Sequence, residues 1–122
     1  MKDNIKTLNT AKQRSAISPN YVHSLDAAAL MNTVEACLAR NVHAFAMIHD
    51  SYGTHAADSE TLATTLRQVF LQMFGGDVNH LAQWAREVVA PVPLELQGDI
   101  PPLPPMGKLD VNEVAYATFF FA

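Results

Sequence analysis

The 122-residue chain is 49% hydrophobic and 16% charged, a balance that supports a packed core of about one domain and excludes a disordered polyelectrolyte. No run approaches the ~20 apolar residues needed to cross a bilayer, and the opening MKDNIKTLNT lacks the apolar centre of a signal peptide, so an intracellular, non-membrane protein is expected. The formal charge of −4 argues against a generic nucleic-acid binder, but it is unevenly spread: residues 1–40 carry five Lys/Arg against three acids, the rest three against nine.

Residues 1–20 show no amphipathic period and end in Ser18-Pro19-Asn20, which predicts an extended leading segment. From Ser24 to Arg40, Ala27, Leu30, Met31, Val34, Cys37 and Leu38 recur at the spacing of one helix face. Ser24 or Asp26 can cap the start of that helix and Asn41 can end it. The single cysteine, Cys37, rules out an internal disulfide and reads as a small buried hydrophobe.

Val42 to Ile48 is short and almost wholly apolar, which predicts a strand buried on both faces. Tyr52 to His55 reads as a second, shorter strand, so the two form a hairpin with Asp50 at or near its tip. A helix capped by Asp58 or Ser59 follows, with Leu62, Leu66, Val69, Phe70 and Met73 inward and Gly75-Gly76 closing it. Asp77 is the expected cap of a third helix, with Val78, Leu81, Ala82, Ala85, Val88 and Val89 on its inner side. Residues 91–108 hold six of the seven prolines and read as a stiff spacer. The rings of Phe119-Phe120-Phe121 are expected to dock, since three exposed phenylalanines would promote aggregation. The fold class is α+β, mostly helical with one β-hairpin.

Asp50 is the main candidate for chemistry. A carboxylate directly after a strand has a fixed backbone and can present hard oxygens to a divalent cation; a simple turn-forming role is the alternative. A His49-Asp50-Ser51 hydrolytic triad is excluded because adjacent residues point apart. His43 and His49 lie about 20 Å apart on an extended strand, too far for one zinc ion.

Three blocks then align in order. KQRSAISPNYVHSLD (residues 12–26) resembles the K-Q-x-S-x-I-x-P-N-(Phe/Tyr)-V-H-S-x-D segment of bacteriophage and mitochondrial single-subunit RNA polymerases. AMIHDSYGTHAAD (residues 46–58) resembles their palm motif C, and Leu103-Pro104, Gly107, Leu109 and the terminal FFFA resemble their C-terminal end.

The resemblance implies that Asp50 is the catalytic, Mg²⁺-holding aspartate of motif C, the second of two such palm residues. It implies nucleotide or nucleic-acid contacts for Lys12, Arg14, His23, His49 and Ser51. It also implies a C-terminal foot carrying Phe119, Phe121 and Ala122. The implied organisation is a leading segment (1–20), palm (21–90), Pro-rich connector (91–108) and foot (109–122). Implied partners are template DNA, product RNA, ribonucleoside triphosphates and the remainder of a polymerase, with the cytoplasm of a phage-infected bacterium as the first expected setting and a mitochondrial origin as the second. The first palm aspartate and the fingers helix have no counterpart in these residues, so the piece is expected to be inactive by itself. A stand-alone α/β binding or regulatory module derived from a polymerase is the rival reading.

Overall fold

The structure, a computed structural model, describes residues 8–76, 79–98 and 100–120. It is α+β and mostly helical. Helix α1 (Thr10–Leu38) leads to strands β1 (Ala46–Ile48) and β2 (Ser51–Gly53), a 3-10 turn (Ala56–Asp58), helices α2 (Ser59–Phe74), α3 (His80–Val89) and α4 (Leu94–Gln97), and a 3-10 turn (Val111–Ala115). The contacts divide the chain into two units, residues 1–66 and 67–122. Among the described residues no helix is long and apolar enough to cross a membrane.

In the first unit, α1 begins at Thr10, so the extended leading segment expected over residues 1–20 is helical from that point; residues 1–7 lie outside the described residues. Asn9, not Ser24 or Asp26, is the cap, its side chain accepting from the Lys12 amide at 2.9 Å. The Ser24 hydroxyl instead donates to the Tyr21 carbonyl. Pro19 sits inside the helix, where it removes one N–H from the ladder. The Ser15 carbonyl left without that partner belongs to an exposed residue, within reach of water. Residues 10–20 are exposed apart from half-buried Ala16, which is why no apolar period marks this part of the helix in the sequence.

The end of α1 is a Schellman motif. Asn41 takes a left-handed φ of 63°, its amide donates to the Leu38 carbonyl at 3.0 Å, and the Val42 amide reaches back to the Cys37 carbonyl at 3.1 Å. The reversal lays Val42 against Cys37, and Leu62 of α2 completes the cluster, with Phe45, Met47 and Tyr52 packed around it. Cys37 is thus the buried hydrophobe its neighbours suggested. Two buried hydroxyls are satisfied within their own helices, Thr33 donating to Ala29 and Thr65 to Thr61; the Arg40 guanidinium also donates to Thr65.

The first strand is shorter than its apolar run. Val42 is spent on the helix end, and only Ala46–Ile48 pairs, antiparallel, with Ser51–Gly53. It is not buried on both faces: Met47 is half-buried, but Ala46 and Ile48 are exposed. A two-stranded ribbon has one face on the core and the other open. Thr54 extends the association beyond the paired residues, its hydroxyl donating to the Ala44 carbonyl at 2.7 Å.

In the second unit, the C-terminal half of α2 buries Val69 and Met73, and the helix stops where Gly76 adopts a φ of 67°. Helix α3 is capped by Asn79, which accepts from the Ala82 amide, rather than by Asp77, which lies with Val78 outside the described residues. Of its other expected inner residues, Leu81, Ala82, Ala85 and Val89 are half-buried and Val88 is exposed. The Pro-rich stretch carries the short α4 but is exposed and irregular over residues 101–109. At the C-terminus the docked ring is Phe120, whereas Phe119 is 84% exposed; Phe121 and Ala122 lie outside the described residues.

Two substitutions test the cluster in the first unit. Asn41→Ala is expected to cost about 1 kcal/mol because it forces a Cβ-bearing residue without a polar side chain into the left-handed region, while Asn41→Gly should be neutral or stabilising. Leu62→Ala should cost about 2–5 kcal/mol through the cavity it leaves. Urea denaturation reads both.

Candidate functional site

The hairpin turn consists of two residues, His49 and Asp50, between the paired residues Ile48 and Ser51. So short a connection fixes both backbones, and His49 meets the required reversal with a left-handed φ of 54°. Both side chains are exposed. They border a cavity of about 780 Å³ whose other wall is α1, contributing His23, Asp26, Ala27 and Leu30. These four lie at the i, i+3, i+4 and i+7 positions of one helix face, so a single stripe of α1 opposes the turn.

The cavity therefore gathers three of the residues singled out in the sequence, His23, His49 and Asp50. Ser51 is exposed at the start of β2 and is not among the cavity's lining residues. Lys12 and Arg14 are exposed near the start of α1, roughly 14–17 Å along the axis from His23 at the helical rise per residue. The foot residues belong to the other unit.

Sequence reasoning missed Asp26 and Tyr52. Asp26 had been a possible cap; with the helix starting at Thr10 it becomes a mid-helix carboxylate on the cavity face. Its signal was present, three residues after His23. Tyr52 pairs with Met47 across the hairpin. Burial pushes its phenol above the ordinary tyrosine range, and the negative charges of Asp26 and then Asp50 raise it further. Burial, and after it two carboxylates from different elements, thus keep this phenol protonated to higher pH than usual.

The chemistry open to this arrangement is that of a partial cation site. Asp50 offers hard oxygen donors at an open edge, but among the described residues no group of three or more His, Cys, Asp or Glu side chains is gathered to hold an ion.

A family model described as DNA-dependent RNA polymerase matches residues 1–95. The chain is 37% identical over 112 residues to DNA-directed RNA polymerase 1A of Nicotiana tabacum, covering 90% of this chain and 67% of that protein. It is 37% identical over 112 residues to the mitochondrial DNA-directed RNA polymerase 1 of Nicotiana sylvestris, and 36% over 110 residues to the chloroplastic/mitochondrial DNA-directed RNA polymerase 2 of Arabidopsis thaliana. In both of these it covers 90% of this chain but spans 10% of the relative's length. No solved structure matches.

The Tyr52 environment sets a pH dependence. Its pKa is raised in the folded state, so the associated stability is fully present below the unfolded tyrosine pKa of about 10 and is lost as pH rises through the folded value. Asp26→Asn and Asp50→Asn should each lower the Tyr52 pKa without restoring the ordinary value, because burial remains. Phenolate absorbance, titrated with Tyr21 and Tyr116 replaced by Phe, measures the shift.

Proposed function

The chain belongs to the DNA-dependent RNA polymerase family, and from that premise we propose that it is the C-terminal palm portion of a phage-type single-subunit enzyme, with Asp50 as its catalytic carboxylate. The observation that carries the reading is the position of Asp50, fixed at the apex of a two-residue turn and open to a cavity walled by His23 and Asp26. In this reading residues 21–90 are palm, 91–108 a connector and 109–122 the foot.

Asp50 suits Mg²⁺ as one donor of a shared set: its oxygens are hard, its backbone is held by the hairpin and its side chain is exposed. Because no complete donor group is gathered among the described residues, the remaining ligands come from elsewhere in the polymerase. Mg²⁺ held in part by Asp50 would supply charge stabilisation for nucleotidyl transfer. This chain's own part is to hold that carboxylate rigidly and to line the approach. His49 and Ser51 flank Asp50 and shape the path of the RNA 3′ end. His23, on the opposing helix stripe, contacts the nascent pair or the initiating nucleotide. Lys12 and Arg14, on the exposed start of α1, contact phosphates of template or product. The substrates are ribonucleoside triphosphates directed by a DNA template. The names of the relatives favour a mitochondrial origin over the cytoplasm of a phage-infected bacterium.

One carboxylate does not position two cations, so these 122 residues by themselves should give no templated RNA synthesis, whereas mixing them with the remaining palm, fingers and N-terminal portions should restore it. In that complete enzyme Asp50→Asn should lower kcat by about a thousandfold or more, the scale of losing several kcal/mol of metal-held charge stabilisation. Circular dichroism should show the fold retained. RNA synthesis by Asp50→Asn at the wild-type rate overturns the assignment.

A further inference from the structure

Arg67 is half-buried in α2, and its guanidinium engages the C-terminal segment at two points. Nη1 donates to the Val114 carbonyl at 2.6 Å, and the same group lies over the Phe120 ring, 5.5 Å from its centroid. Phe120 also meets Phe70 edge to face, with centroids 4.9 Å apart and planes at 71°. Phe70 follows Arg67 by three residues, so one face of α2 presents cation and ring together.

The segment has little internal support. It contains a five-residue 3-10 turn, capped by Asp110 at the Asn112 amide, and a 3-10 turn of this length is not stable alone. Tyr116 and Phe119 are 91% and 84% exposed, and residues 101–110 leading into it are exposed throughout. The planar guanidinium can donate along its edge while its face covers a ring, whereas an ammonium offers a point charge with no such plane.

We infer that Arg67 is a positioning residue that clamps residues 111–120 onto α2 through the Val114 carbonyl and the Phe120 ring. On the polymerase reading this segment is the foot, and its bearing on RNA synthesis rests on that reading. The clamp itself does not.

Hydrogen–deuterium exchange on the 122-residue chain separates the two questions, since it needs no polymerase activity. Arg67→Met keeps an unbranched apolar stem and good helix propensity but removes every donor and the charge. It should speed exchange across residues 111–120 about tenfold, the scale of a lost charge-assisted hydrogen bond. The amides of Tyr116 and Ala117, which donate to Glu113, report most directly. Arg67→Lys should restore part of the protection, and Phe120→Leu added to Arg67→Met should cost less than the two single effects combined. Protection of the hairpin, residues 46–53, should be unchanged in every variant. Wild-type exchange in Arg67→Met overturns the clamp, as does faster exchange spread equally through the hairpin, which would make Arg67 a general support of the fold. Lysine behaving like methionine overturns it as well.

Discussion

The left-handed turn at Asn41 is the constraint on which the candidate site depends. It satisfies the last carbonyls of α1 and, in the same stroke, reverses the chain so that Val42 seats on Cys37 and Leu62. Everything from Ala44 to Tyr52 leaves from that fixed point. Phe45, Met47 and Tyr52 pack around the cluster, and the two-residue turn then brings Asp50 opposite the His23–Leu30 stripe of the same helix. A small apolar cluster thus sets the distance between a helix face and a hairpin tip.

Charge follows from this placement. Asp26 and Asp50 lie on separate elements, yet both act on the Tyr52 phenol. Both carboxylates border the same opening, which therefore presents negative charge on two sides. The net charge of the chain gives no hint of this, because the effect comes from two acids that the fold brings to one opening.

Local signals in the sequence carried much of this organisation. The helix end at Asn41, the hairpin with Asp50 in its turn, the inner face of α2 and its stop at Gly75-Gly76 all follow from spacing and turn chemistry. What stayed illegible depended on context. Residues 10–20 are helical without an apolar stripe because they are exposed, and Pro19, which reads as a break, is tolerated there. Val42 to Phe45 looks like strand but serves as packing beneath a helix end. Phe119 and Phe120 are chemically identical, and their difference lies in context: Phe120 meets Arg67 and Phe70, while Phe119 is exposed. The role of Asp26 was hidden by a misplaced helix start.

The tightness of the His49-Asp50 connection limits which side chains of the ribbon can face inward. Side chains of a ribbon alternate in direction, so a one-residue slip in the Met47–Tyr52 register would turn one of the two away from the cluster. The two-residue turn holds that register in place. The irregular stretch over residues 101–109 is exposed and pairs with no strand, so an insertion or deletion there leaves the hairpin register untouched.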